Sequence, residues 1–249
     1  MLREALATRG EADSSGDLSK RWVTDQKEVI TECVGKFRFK FPAGIVSKSA
    51  TDSVGTFFQN NNVILSDFTG YVYDQIMSAF EALGLTDKSL YLVDAYCGSG
   101  LFSVTCSKGF ESVTGVEISA DSVKYAIQNA KVNDIANASF ITGSADKIFE
   151  VVNTPADYTA LIIDPPRKVC SLLIEPDLEQ GCDETFLKQL LVFNPRVVIY
   201  VSCNVHTQAR DIGFLMNENQ GRYQVCAIRG FDLFPQTHHV ESIATLVRY

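Results

Sequence analysis

From Leu90 onward, short continuous apolar runs alternate with stretches whose apolar residues recur at helical spacing. LYLVDAY (90–96), SVTGVEI (112–118), ASFITGS (138–144), TALIIDPP (159–166) and RVVIYVS (196–202) read as strands, and their unbroken apolar character is that of a sheet buried on both faces. ADSVKYAIQNAKVND, with Val123, Ile127 and Ala130 in phase, predicts a helix after the second strand, and DETFLKQLLVF (183–193) predicts another before the fifth. YQVCAIRGFDLFP and ESIATLVRY suit an antiparallel pair at one side of the sheet. Upstream, KEVITECVGKFRFKFPAG (27–44) alternates as one or two extended strands, and SKSATDSVG (47–55) reads as a polar loop. Asn60 to Asn62 offer capping groups to an amphipathic helix containing Val63, Ile64, Tyr71, Val72, Ile76 and Phe80. Residues 1–21 have a helix-forming start and a polar continuation, expected to be a tail or linker before a domain over 22–249. The sum is a doubly wound α/β domain of Rossmann-like type, mostly parallel with an antiparallel strand at the C-terminus.

Composition narrows the class. The chain has 249 residues, 46% hydrophobic and 21% charged, in the range of a globular domain. No apolar run approaches the roughly 20 residues that span a bilayer, so no membrane partner is expected, and the N-terminus lacks the apolar core of a signal peptide. The seven cysteines are odd in number and form no C-x-x-C, which argues against a disulfide framework or a metal cage. Reduced thiols in the cytosol or nucleus are expected, with mitochondria left open. A formal net charge of −8 argues against a uniformly basic nucleic-acid surface while leaving room for a local basic cleft.

The candidate chemistry gathers at predicted strand ends. Asp94 and the G-x-G of Gly98 and Gly100 end the first strand, where glycine allows a tight turn and close approach to a ligand. A dinucleotide fingerprint wants glycine at 103, and Ser103 stands there. Glu117 ends the second strand, near the spacing at which an acid binds ribose hydroxyls, and Asp146 follows the third. Together these resemble the S-adenosylmethionine (SAM) site of Rossmann-like methyltransferases, where a third-strand acid often holds the adenine amino group. DPPR then sets Asp164 at the tip of the fourth strand. Amino-methylating enzymes carry an aromatic residue after D-P-P; Arg167 stands there and suits an oxo-bearing base or a phosphate better. Cys203, in SCN, ends the fifth strand, where a thiol serving only packing is out of place. Cys97, Cys106, Cys182 and Cys226 read as structural. His238 and His239 lack metal-ligand partners at useful spacing, so no metal is expected; they read as shaping the loop that carries Glu241.

FFQNN, YCGSG, VEIS, DPPR, YVSCNV and FDLFPQTHHVE, in that order, resemble the tRNA (uracil-5-)-methyltransferase family, particularly its fungal members, over residues 22–249. The resemblance implies SAM as cofactor and a tRNA uridine, in the T-loop, as substrate. It implies Cys203 as a nucleophile adding to carbon 6 of uracil and Glu241 as the acceptor of the carbon-5 proton. Gln59, Tyr96, Gly98, Gly100, Glu117, Asp146 and Asp164 would hold the cofactor, with Arg167 and Asn204 facing the substrate. The chain departs from the family pattern in apparent insertions at 45–54 and 169–180, and the family's N-terminal RNA-binding region is expected to be absent. A ribosomal-RNA uracil-5-methyltransferase and a noncatalytic RNA-binding or folding module remain the alternatives.

Overall fold

The computed structural model describes residues 3–6, 20–23, 25, 27–42, 59, 61–144, 148–165, 181–218 and 221–249. A seven-stranded sheet forms the centre. Its strands are β5 (Tyr91–Ala95), β6 (Ser112–Glu117), β7 (Ala138–Thr142), β8 (Thr159–Ile163), β9 (Val197–Ser202), β10 (Tyr223–Phe231) and β11 (Glu241–Arg248), in spatial order β10-β11-β9-β8-β5-β6-β7. The five strands from β7 to β9 are parallel, whereas β11 runs antiparallel to both β9 and β10. The expected parallel sheet and its antiparallel C-terminal pair are therefore both present.

The two-sided burial read from the sequence has a simple geometric form. Every residue of β8 and β9 is buried. Along β8, Ala160 and Ile162 face one core while Leu161 and Ile163 face the other, as the two-residue period of a strand demands. The first core is covered by α1 (Asn62–Ala82), α2 (Leu101–Thr105) and α3 (Ala120–Val132). The second is covered by α4 (Ile148–Val151), α5 (Glu184–Phe193) and α6 (Val205–Glu218).

The helix α1 presents Leu65, Phe68, Val72, Ile76 and Phe80 to the core, one residue per turn. Val63, expected on this face, is 87% exposed, and Asn61 occupies the N-cap without a side-chain hydrogen bond. Asn62 is already helical, and Asn60 lies outside the described residues. Burial of the stripe, rather than a cap, stabilises this helix. In α3 the expected Val123 and Ala130 are buried but Ile127 is 52% exposed; the inward face is completed by Ala126 and Asn129.

A second sheet, of order β2-β1-β3-β4, contains β1 (Arg3–Leu6), β2 (Lys20–Val23), β3 (Val29–Val34) and β4 (Phe37–Pro42). The described residues within 1–21, read as tail or linker, are thus strand. Within the alternating 27–44 stretch, β3 and β4 form a hairpin that turns at Gly35 with φ +56°. Phe39 and Phe41 insert into the first core. The expected polar loop at 47–55 and both apparent insertions lie outside the described residues.

Two glycines give opposite expectations. A Cβ on Gly115 in β6 would lie 2.7 Å from Phe140 Cδ1 and 2.9 Å from Cys97 Sγ, so Gly115→Ala should cost about 1–3 kcal/mol by overpacking. Gly213 in α6 has open space around it, so Gly213→Ala should gain up to about 1 kcal/mol from helix propensity. Urea unfolding of both variants checks the pair.

Candidate active site

The chain leaves β5 for β6 and β7 on one side, then returns to β8 and β9 on the other. Adjacent helices diverge at such a reversal, which opens a crevice beyond the carboxyl ends of the strands. Tyr96, Glu117, Asp164 and Cys203 all stand at those ends, following or closing β5, β6, β8 and β9. Because β11 is antiparallel, its first residue, Glu241, joins the same edge. Glu241 was expected in the loop between the last two strands; it instead begins β11 and is only 2% exposed. Ser242 pairs with Ser202 at the end of the β9–β11 ladder, so Glu241 and Cys203 each stand one residue beyond that pair.

The residues flanking Cys203 shape its turn. Ser202 Oγ donates to the Asn204 carbonyl at 3.0 Å and accepts the Asn204 amide at 3.1 Å. Asn204 Oδ1 accepts the amides of His206 at 3.0 Å and Thr207 at 3.4 Å, capping α6. Asn204, expected to face the substrate, thus commits its side-chain oxygen to the helix. Behind the turn, buried Gln208 donates through Nε2 to the carbonyls of Tyr200, at 2.8 Å, and Ser242, at 3.2 Å. One side chain of α6 therefore ties β9 to β11 beside the Cys203–Glu241 pair. Cys203 itself is half-buried and outside any disulfide.

The glycine loop is strained at its entry. Tyr96 has φ +65°, uncommon for an aromatic residue, followed by Gly98 at +54° and Gly100 at +88°. The Tyr96 ring lies 5.6 Å from that of Phe186. Both Glu117 oxygens hold backbone amides, Oε2 that of Gly98 at 3.1 Å and Oε1 that of Ser119 at 2.8 Å. Gln59 is half-buried just ahead of α1. Asp146 and Arg167 lie outside the described residues.

Two further carboxyls are desolvated here. Asp94 is fully buried; its Oδ2 accepts from the Ser103 amide at 2.9 Å and hydroxyl at 2.6 Å, and its Oδ1 has no hydrogen-bond partner among the described residues. Burial drives its pKa up to about 7, opposed by the Ser103 hydrogen bonds and reinforced by Glu117. Ser103, where a dinucleotide fingerprint has glycine, is thus the partner of Asp94. Asp164 retains some exposure as a residue, yet enclosure of its carboxyl raises its pKa well above the usual range, with Glu241 and then Asp94 adding to the rise.

Motif spacing carried no sign of the Asp211 network. Asp211, fully buried in α6, accepts from Tyr200 Oη at 2.6 Å, from the Cys182 amide at 2.8 Å and from Arg210 Nε at 2.9 Å. It pins the chain at Gly181–Cys182 against the end of β9. A Cβ on Gly181 would lie 2.8 Å from Asp211 Oδ2.

The cysteines divide by environment. Cys97, Cys106 and Cys182 are buried, and burial pushes the thiols of Cys106 and Cys182 up to about 12. Cys226, read as a packing thiol, is exposed instead: β10 changes register between Val225 and Ala227 and leaves it unpaired in the ladder. The His238 and His239 rings stand 4.1 Å apart between β10 and β11. Among the described residues no group of three His, Cys, Asp or Glu side chains is arranged to hold a metal ion, and no helix is long and apolar enough to cross a membrane.

Comparison with known proteins decides the family. The model of the tRNA (uracil-5-)-methyltransferase family matches residues 52–249. The chain belongs to that family. It is 53% identical to the tRNA (uracil(54)-C(5))-methyltransferase of Schizosaccharomyces pombe over 227 residues, covering 91% of this chain and 38% of that protein. With the enzyme of the same name from Saccharomyces cerevisiae the identity is 45% over 261 residues, covering 98% and 37%. The chain therefore spans under two-fifths of the length of these fungal relatives. Among solved structures, the Pyrococcus abyssi tRNA (uracil-54, C5)-methyltransferase, in complex with S-adenosyl-L-homocysteine, shares the fold with a TM-score of 0.65. That match has 24% identity and covers 99% of this chain and 50% of the other.

The Asp94 carboxyl makes stability pH-dependent. Its pKa is raised in the folded state, so its contribution is complete below about pH 4 and is lost as pH rises through about 7. Asp94→Asn retains an acceptor for Ser103 and should melt higher than the parent at pH 8, by up to about 4 kcal/mol of stability. The two melting curves should converge near pH 4; thermal unfolding across that range measures it.

Proposed function

We propose that this chain carries the catalytic machinery of a SAM-dependent enzyme that methylates carbon 5 of a tRNA uridine, the T-loop uridine 54 named in its fungal relatives. Family membership supports the reaction class, and the S-adenosyl-L-homocysteine of the archaeal structure supports the cofactor. The observation that carries the reading is the β9–β11 register, whose last pair, Ser202 with Ser242, is followed by Cys203 and preceded by Glu241 at the edge where Asp164 and the glycine loop also end.

The residues present fit SAM. Gly98 and Gly100 let the backbone approach a ligand, Glu117 closes β6 beside them for ribose hydroxyls, and the buried Asp94 Oδ1 is still without a donor. Bound SAM supplies an electrophilic methyl group. The protein must make carbon 5 of uracil nucleophilic enough to take it. The Cys203 thiolate adds to carbon 6, and the electron pair of the 5,6 double bond moves into the ring as an enolate reactive at carbon 5. After methylation, Glu241 accepts the carbon-5 proton, the double bond re-forms and the carbon–sulfur bond breaks, restoring Cys203. Asp164 favours its protonated form beside Glu241, which limits the negative charge gathered at this edge. The target base leaves its stack to reach the thiol, at a cost of a few kcal/mol that is smaller in a loop than in a duplex.

Two measurements test this reading. Calorimetry with S-adenosyl-L-homocysteine should show binding that Glu117→Ala weakens by about 1.5–3 kcal/mol, the loss of a charged hydrogen bond.

With SAM and unmodified tRNA, nucleoside mass spectrometry should find 5-methyluridine from the parent and none from Cys203→Ala. Glu241→Gln should still permit addition and methylation, so a methylated covalent enzyme–RNA complex should accumulate on a denaturing gel. Formation of 5-methyluridine by Cys203→Ala would remove the covalent mechanism.

A further inference from the structure

The helix α3 carries Asn129 and is followed at its C-cap by Asn133, and both side-chain amides pair with the backbone of β4. Lys40 donates its N–H to Asn129 Oδ1 at 2.7 Å, and its carbonyl accepts from Asn129 Nδ2 at 3.1 Å. Arg38 donates to Asn133 Oδ1 at 2.7 Å and accepts from Asn133 Nδ2 at 2.7 Å. The fit has a geometric cause. Four helical residues rise about 6 Å and two strand residues about 6.6 Å, so side chains at i and i+4 meet backbone groups at i and i+2. Since β4 is an edge of its sheet, the two asparagines satisfy groups that an open edge presents to another strand.

Asn129 makes one more bond. It is fully buried, and Nδ2 also donates to the Ser99 carbonyl at 3.0 Å. Ser99 lies between Gly98 and Gly100, at the centre of the strained loop. The loop is pressed against α3 there: a Cβ on Gly100 would be 3.3 Å from Ala126 Cβ, about one helical turn before Asn129. The two protons of one amide nitrogen therefore join β4 to the glycine loop.

We propose that Asn129 is a positioning residue that couples the four-stranded sheet to the glycine loop and holds that loop in its ligand-ready shape. The inference rests on the reading of residues 96–100 as the cofactor loop. Asn133 is the internal control, because it pairs with β4 without a bond to the loop. Hydrogen exchange of the whole chain should show faster exchange over 37–42 in Asn133→Ala, with 97–100 as in the parent. Asn129→Ala should speed exchange in both segments and raise the dissociation constant for S-adenosyl-L-homocysteine about tenfold, or 1.4 kcal/mol, while Asn133→Ala leaves it within about twofold.

Asn129→Asp retains an acceptor for the Lys40 amide but no donor for the Lys40 or Ser99 carbonyl, so the loop loses its one bond while β4 keeps one of two, and 97–100 should be disturbed more than 37–42. Equal loop exchange in Asn129→Ala, Asn129→Asp and Asn133→Ala overturns the coupling. Absence of S-adenosyl-L-homocysteine binding by the parent would instead remove the cofactor reading, and loop exchange would still decide the coupling.

Discussion

A strand buried on both faces has no place for an unpaired charge except at its end, because desolvating such a group along its length costs several kcal/mol. β8 and β9 are buried at every position, and that constraint organises the rest of the molecule. Asp164 and Cys203 follow these strands immediately. The register of the sheet, which also aligns the ends of β5 and β6, collects them on one edge.

The antiparallel β11 adds a buried carboxyl, Glu241, to this edge. A parallel strand in its place would bring its carboxyl end, not its first residue, to the crevice. Running the other way, β11 brings Glu241 to the edge at which β9 ends in Ser202, and the Gln208 amide fastens the two strands there.

Desolvation is the cost of such an edge. Asp94 and Asp164 are both driven toward their protonated forms by enclosure, with neighbouring carboxylates adding to the effect. Groups that ionise with difficulty in the isolated protein are those with most to gain from a bound partner of complementary charge or hydrogen-bonding capacity. The strained Tyr96 backbone between β5 and the glycines belongs to the same economy, as local strain held by a rigid surround.

The sequence by itself determined the strands, their two-faced burial and the residues placed at their ends, because apolar periodicity and terminal motifs are local properties of the chain. It also determined the family, since the ordered motifs from YCGSG to FDLFPQTHHVE are specific in combination. Tertiary structure alone decided which terminal residues face one another, because that depends on the direction and register of strands far apart in the chain. Glu241 was legible as the partner of Cys203 through the family resemblance, but its seat as the first residue of β11 rather than in a loop was not. Asn204, read as a candidate substrate contact, carries a second role that only the fold shows, its oxygen capping α6. Cys226 looked buried because its neighbours are apolar, and it lies exposed on the edge strand β10, in line with Gln224 and Ile228. Asn129 and Asp211 carried no signal at all: a buried polar side chain is recognised by its hydrogen-bond partners, and for Asn129 these lie 30 and 89 residues away.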